Sequence, residues 1–149
     1  MTPYTLNEHF VTGEQLGMFK YIRHVLEQAP DITWGIHIPS CHHVCHALAS
    51  VFPIVRVNDG YFGKGEPHSW LEFEPSLHAT RADRRARVIA DMYPIAGVTP
   101  FLVYTFFMTT WAKLYIPDVY VLSNVMRENP LFNDQVKELA TCFRTLKPQ

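Results

Sequence analysis

The sequence has few cysteines and little net charge, and both shortages exclude whole classes of protein. Its 149 residues include only 3 cysteines, an odd number that does not fit a disulfide framework. Its 13 basic and 14 acidic residues give a formal net charge of -1, so nothing indicates a protein that binds polyanions. The one basic run, TRADRRARV, contains an aspartate and no interleaved aromatic residues. We therefore expect a solvated face there and no nucleic-acid partner.

Segments that would send the chain to or across a membrane are also missing. The first residues, MTPYTLNEHF, have neither a basic start nor an apolar core, which predicts no secretory signal and a cytoplasmic location. Delivery by a specialised secretion route stays open. The longest uncharged stretch, residues 92–112, contains Pro94, Gly97 and Pro100 and is rich in β-branched and aromatic side chains, which indicates buried strands and no membrane partner. Without repeats, linkers or low-complexity segments, residues 1–149 are expected to form one domain.

Two helices are predicted in the first third of the chain. The segment TGEQLGMFKYIRHVLEQ has apolar residues at helical spacing and opens with a capping box made by Thr12 and Gln15. A second helix is predicted to begin after Ser40, its N-cap, and to end at Pro53. This boundary makes Cys41 the first helical residue.

The rest of the chain predicts strands and one closing helix. Strands are expected in IVRVN, HSWLEFE, RVIADMYPI, FLVYTFF and KLYIPDVYVL, with a mobile glycine loop at residues 59–67. The segment NDQVKELATCFRTL predicts the closing helix. Helices first and strands after predict an α+β fold with a largely antiparallel sheet.

The segment GIHIPSCHHVCHALASVFP holds two of the three cysteines and four of the eight histidines. Cys41 and Cys45 lie one helical turn apart, a spacing that allows a metal site, although no matching ligand pair follows. CHHVCH also resembles a lengthened haem-attachment signature, which a chain without an export signal does not favour. The third interpretation is a catalytic thiol, because unpartnered N–H groups and the helix dipole lower the pKa of a cysteine at a helix start. Cys45, one turn further in, is expected in the core and is a lesser candidate for nucleophile or resolving thiol.

A catalytic thiol requires a base and a group that orients the base, and the chain supplies both further on. His68 begins the predicted strand HSWLEFE, and Asp91 lies on the next predicted strand. Adjacent antiparallel strands would bring these two side chains together. The backbone N–H groups of Cys41 and His42 are expected to hold the oxyanion. Such a site needs no metal and no cofactor.

The neighbours of these residues receive structural predictions. His42, His43 and His46 are expected on the surface or rim of the helix, with no side-chain role beyond contact with a substrate. Trp70 is expected to pack in the core, and Glu72 to make a structural hydrogen bond.

Three segments of the sequence resemble the transglutaminase-like superfamily of papain-like thiol enzymes, which includes transglutaminases, bacterial peptidases and protein deamidases. CHHVCHALASVF resembles its nucleophile helix, HSWLE its histidine strand and DMYP its aspartate motif, so that the resemblance covers about residues 40–95. It implies a papain-like domain whose nucleophile helix packs on the sheet. It also implies a triad of Cys41 as nucleophile, His68 as base and Asp91 as orienting acid.

The predicted activity is acyl transfer through a thioester, with a peptide or protein as substrate. The amide that is cleaved is a peptide bond or a glutamine side-chain carboxamide, and a protease or deamidase is favoured over a cross-linking transglutaminase. An alternative from another class is a metal-binding or partner-binding module that uses the Cys/His segment without catalysis. A third possibility is an inactive descendant of the family that binds a partner through its cleft.

Overall fold

The computed structural model describes residues 12–73, 88–93, 100–104 and 113–146, with side chains left out at 101, 103 and 104. Over these residues the chain forms four helices and a five-stranded antiparallel sheet in the order β4-β3-β2-β1-β5. The predicted α+β class with an antiparallel sheet is therefore confirmed. The helices are α1 (Gly13–Gln28), α2 (Cys41–Val51), α3 (Tyr120–Glu128) and α4 (Phe132–Leu146). The strands are β1 (Val55–Phe62), β2 (Glu66–Phe73), β3 (Val88–Asp91), β4 (Phe101–Tyr104) and β5 (Tyr115–Pro117).

Both N-terminal helices begin where the sequence predicts. In α1 the side chains and backbones of Thr12 and Gln15 form the expected capping box, with both bonds at 3.1 Å. In α2 the cap is Ser40, and the reciprocal bond comes from His43, whose Nδ1 accepts the Ser40 N–H at 3.1 Å. Because this box fixes the first turn of α2, Cys41 is its first residue.

The hydrophobic core lies between one face of the sheet and helices α1, α2 and α4. The predicted inner face of α2 is buried, and α2 packs against both α4 and strands β1 and β2. Burying each large apolar side chain stabilises the fold by about 1.5–3 kcal/mol, so α2 is held firmly on the sheet. The buried predicted residues are Val44, Leu48, Val51 and Phe52 on and after α2, and Leu139, Ala140 and Phe143 on α4. Val136, also predicted to face inward, is half-buried against this core.

The predicted glycine loop is much shorter than expected. Strand β1 continues through Asp59 and Gly60, and the chain turns only at residues 63–65, where Gly63 and Gly65 have φ of 64° and 90°. Asp-Gly is typical of turns, which is why the prediction was wrong. Gly60 instead serves the sheet, because a Cβ there would collide with the Ile116 carbonyl of β5.

The segment KLYIPDVYVL is only partly a strand. Its centre forms β5, but its last residues already belong to α3. The β-branched and aromatic content of the segment is typical of strands. The N-cap of α3 is Val119, which makes no side-chain capping bond, so the usual signal of a helix start is missing.

The long uncharged stretch contributes β4, and its residues 94–99 and 105–112 lie outside the described residues. The basic run TRADRRARV lies outside them except for its last residue, Val88. Within the described part of the chain, no helix has both the length and the apolar character to cross a bilayer.

Candidate active site

Cys41 is a half-buried free thiol at the N-terminus of α2. The first N–H groups of a helix have no partner within it. The Ser40 side chain accepts one of them, from the His43 N–H at 3.4 Å, and the regular helical bonds begin with the Val44 N–H, which donates to the Ser40 carbonyl at 3.0 Å. The N–H groups of Cys41 and His42 make no hydrogen bond to the described parts of the chain. These are the two groups that the sequence predicts to bind the oxyanion.

His68 and Asp91 lie together, on the neighbouring antiparallel strands β2 and β3. The His68 Nε2 is 3.0 and 2.9 Å from the two carboxylate oxygens of Asp91. The Tyr115 hydroxyl donates to the same carboxylate at 2.7 Å. His68 is 2% exposed and Asp91 is 1% exposed, so this pair is shielded from water. With Nε2 occupied, Nδ1 is the ring nitrogen that remains for a third partner.

That partner is Cys41, whose thiol interacts with His68 and also with His42. Burial raises the pKa of Cys41, but the hydrogen bonds to His42 and His68 and the charges of both rings outweigh it and bring the pKa to about 6. Burial lowers the pKa of His68, but the hydrogen bonds and charges of Asp91 and Cys41 bring it to about 9. At neutral pH the proton therefore rests on His68, and the sulfur is a thiolate.

A second group of polar side chains meets Cys41 through His42. The His42 Nδ1 lies 2.7 Å from Ser69 Oγ, and the Ser69 hydroxyl donates to Asp59 Oδ1 at 2.5 Å. The His46 Nε2 lies 2.9 and 3.0 Å from the Asp59 carboxylate oxygens. Burial raises the pKa of Asp59, but the bonds from His46 and Ser69 outweigh it and lower that pKa. We call His42, Ser69, Asp59 and His46 the second relay.

The expectation that the helix histidines lie on the surface or rim is wrong for His43. Its side chain is buried, its Nε2 lies 2.8 Å from Gln135 Oε1, and its ring packs 5.0 Å from that of Trp34. Helix α4 crosses α2 here and covers it, which the sequence does not reveal. His42 and His46 are half-buried, which fits the predicted rim position, and each has a hydrogen-bonded partner that the sequence did not predict.

Cys45 lies in the core, as predicted. It is 0% exposed, and its thiol donates to the Ser69 carbonyl at 3.3 Å. Burial raises its pKa well above the usual value, and the nearby charges of Asp91, Cys41 and Asp59 raise it further. A thiol in this state is a poor nucleophile.

Two other predictions around His68 are confirmed. Trp70 is 1% exposed, and its ring packs 5.2 Å from that of Tyr115. Glu72 is buried and accepts a hydrogen bond from the Arg56 guanidinium at 3.1 Å. Both residues support the strand that carries His68.

The structure gives little support to a metal site in the Cys/His segment. Among the residues that it describes, no three His, Cys, Asp or Glu side chains are grouped so that they could hold a metal ion. Cys41 and Cys45 have different partners, one bonded to imidazoles and the other to a backbone carbonyl.

Three residues of the site were missed from the sequence. Asp59 was assigned to a turn because glycine follows it, although extending β1 would have placed it opposite Ser69. Ser69 directly follows His68 but has no distinctive spacing. Tyr115 lies on a strand of three residues, and nothing in the sequence links it to Asp91.

An apolar groove of about 380 Å³ lies beside the start of α2. Pro39, which precedes the N-cap of α2, forms part of its wall, and Tyr93, two residues after Asp91, forms another part. The Tyr93 hydroxyl donates to the Pro39 carbonyl at 3.3 Å. The groove also includes Leu26, Ile32, Ile38, Leu139 and Phe143.

Comparison of the chain with protein-family models, with curated proteins and with solved structures gives no match. The interpretation of the site therefore depends on its own geometry. The likeness to transglutaminase-like enzymes stays a prediction from three sequence segments.

Proposed function

We propose that the protein is a cysteine-dependent acyl-transfer enzyme of the papain-like, transglutaminase-like kind, which cleaves an amide of a peptide or protein. One observation carries the proposal: the Cys41 thiol, at a helix N-terminus, contacts an imidazole whose other nitrogen is bonded to Asp91. Nucleophile, base and orienting carboxylate are the three parts that thiol hydrolases need.

In the first half of the reaction, the Cys41 thiolate attacks the amide carbon. The N–H groups of Cys41 and His42 donate to the oxyanion that forms. The His68 imidazolium then gives its proton to the leaving nitrogen, the C–N bond breaks, and a thioester remains. Asp91 keeps the His68 ring oriented throughout and stabilises its charged form.

In the second half, water or an amine attacks the thioester. Water makes the protein a protease or a deamidase, and an amine makes it a transglutaminase. We favour water, because Cys41 and the neighbouring His42 are only half-buried. The apolar groove beside Pro39 suits an apolar side chain of the substrate next to the amide that is cleaved.

The test is acylation with p-nitrophenyl acetate, followed by peptide mapping of the acetyl group. We expect one acetyl group on Cys41, lost in Cys41→Ala and retained in Cys142→Ala, a control that removes another half-buried thiol. Asp91→Asn should keep the far-ultraviolet circular dichroism of the wild type and acylate at least tenfold more slowly. Equal acetylation of Cys41 and Cys142, or a rate that does not depend on Asp91, would overturn the proposal.

A metal-binding module predicts a different result. It would contain stoichiometric zinc that is lost in Cys41→Ala and in Cys45→Ala, and its acylation would not depend on Asp91. Metal analysis of the purified protein and the two variants separates the alternatives.

A further inference from the structure

The second relay fixes which nitrogen of His42 faces the nucleophile. The single hydroxyl proton of Ser69 is donated to Asp59, so the Ser69 oxygen can only accept from His42 Nδ1. In the acyl-enzyme, where the sulfur is uncharged, a neutral His42 therefore carries its proton on Nδ1 and a lone pair on Nε2. Nε2 is the nitrogen that remains for Cys41. The relay thus holds a second base against the sulfur.

The two imidazoles at Cys41 differ in their access to water. His68 is 2% exposed, and its ring lies beside those of Phe62, Trp70 and Tyr115. His42 is half-buried and therefore in part accessible to solvent. The base that activates a water molecule must itself be reached by water, which favours His42.

The charges around His42 also suit a base. Asp59 interacts electrostatically with His42 and is joined to it through Ser69. When His42 gains a proton, this carboxylate stabilises the new positive charge. The other titratable neighbours are Cys41, which is an uncharged thioester at this step, and His43 and His46, which carry no negative charge.

From this geometry we propose that His42 is a second catalytic residue, the base that takes a proton from the water hydrolysing the Cys41 thioester. Ser69, Asp59 and His46 are its positioning residues. The inference rests on the proposed function and deepens it, because it assigns the two proton transfers of the reaction to different histidines. His68 is the acid for the leaving amine, and His42 is the base for the incoming water.

Every proton that moves in this scheme is accounted for over one turnover. His68 loses its proton to the leaving amine in the first half. In the second half the water oxygen bonds to the thioester carbon, one water proton goes to His42 Nε2, and the C–S bond breaks with its electron pair on sulfur. The sulfur then accepts the proton from His42 and passes it to His68, which restores the thiolate and the imidazolium. The net change is amide plus water to carboxylic acid plus amine.

The experiment isolates the second half of the reaction. Wild type, His42→Gln and His68→Ala are acetylated with p-nitrophenyl acetate and desalted, and the loss of the acetyl group from Cys41 is followed by intact mass. We expect hydrolysis to slow about 100-fold in His42→Gln and far less in His68→Ala. His24→Gln, which replaces an exposed histidine of α1, is the matched control and should hydrolyse like the wild type.

A second variant keeps the shape of the relay and removes its charge. In Asp59→Asn the amide oxygen accepts from Ser69 and His46 in the place of the Asp59 Oδ1, but no negative charge remains to stabilise a protonated His42. We expect at least tenfold slower hydrolysis and a circular dichroism spectrum like that of the wild type.

The outcomes separate this inference from the function on which it rests. If Cys41 of the wild type forms no acetyl thioester, both fail. If the thioester forms but His42→Gln and Asp59→Asn hydrolyse it like the wild type, the proposed acyl-transfer function is kept and the proposed role of His42 is wrong. The same conclusion follows if hydrolysis slows only in His68→Ala.

Discussion

Cys41 and Cys45 lie one turn apart on the same helix and have opposite chemistry. Cys41 is at the helix start, between two imidazoles that lower its pKa to about 6. Cys45 is enclosed by apolar side chains, bonded only to a backbone carbonyl among the described residues, and its pKa is raised well above the usual value. A thiolate and a buried thiol therefore lie only four positions apart in the sequence.

The difference shows that burial alone does not decide the state of a cysteine. Burial raises the pKa of both thiols. Cys41 has hydrogen-bond donors and positive charges to offset this effect, whereas Cys45 faces the negative charges of Asp91 and Asp59.

The largest effect is expected from His68→Ala. The variant loses the acid that protonates the leaving amine, so cleavage of a peptide amide should fall by roughly 10²–10⁴-fold. The pKa of Cys41 should rise above about 6, because the hydrogen bond and the charge of His68 no longer offset burial. Steady-state kinetics with a peptide amide and a thiolate titration at 240 nm check both points. Activity like that of the wild type would contradict the assigned role.

A pH series of alkylation compares the two thiols directly. Labelling of Cys41 by iodoacetamide should rise with pH around a midpoint of about 6, because the thiolate is the reactive form. At pH 7 Cys41 should react about 30-fold faster than an ordinary thiol with a pKa near 8.5. Cys45 should stay unlabelled until the protein unfolds. Peptide mapping by mass spectrometry resolves the sites, and a Cys41 midpoint near 8.5 would contradict the contrast.

The same pKa values predict a bell-shaped pH dependence for amide cleavage. Activity should be lost as the pH falls through about 6, where the thiolate is protonated, and as it rises through about 9, where His68 loses its proton. Measuring kcat/KM against pH tests both limbs. A profile without the alkaline limb would mean that His68 is not the acid.

A smaller effect is expected from Tyr115→Phe. The variant removes one hydrogen bond to the Asp91 carboxylate and leaves the His68 bond in place. Cleavage should fall only a few-fold, and the fold should lose about 1–3 kcal/mol. Kinetics and urea unfolding measure the two effects. An effect as large as that of His68→Ala would mean that Tyr115 acts directly on the substrate.

The smallest effect on chemistry is expected from Cys45→Ala. The change removes one buried sulfur, and the resulting cavity should cost the fold about 1–2 kcal/mol. Alkylation of Cys41 should keep its midpoint and its rate, as measured by the same mass-spectrometric assay. A change in either would show that the two thiols act together.

The sequence predicted the elements that local signals specify. A capping box for α1, an N-cap serine for α2 and apolar periodicity located these two helices, and the position of Cys41 followed from Ser40. The approach of His68 to Asp91 was also predictable, because adjacent antiparallel strands leave few alternatives.

Prediction from the sequence failed where contacts with distant parts of the chain decide the local conformation or the burial of a residue. Asp59-Gly60 looks like a turn, but the approach of β5 makes it strand. His43 looks like a surface residue until α4 covers it. The second relay combines both kinds of failure, because Asp59 reaches Ser69 only when β1 is longer than the sequence suggests.

The tight turn at Gly63 and Gly65 sets the strand register on which the second relay depends, although no residue of the candidate site lies in it. It pairs β1 with β2 so that Asp59 lies opposite Ser69, whereas the contact of His68 with Asp91 depends on the pairing of β2 with β3. A slip of one residue between β1 and β2 would turn Asp59 away from Ser69 and leave His68 with Asp91. An insertion in this turn that shifts the pairing would therefore disconnect His42 from its carboxylate and spare His68.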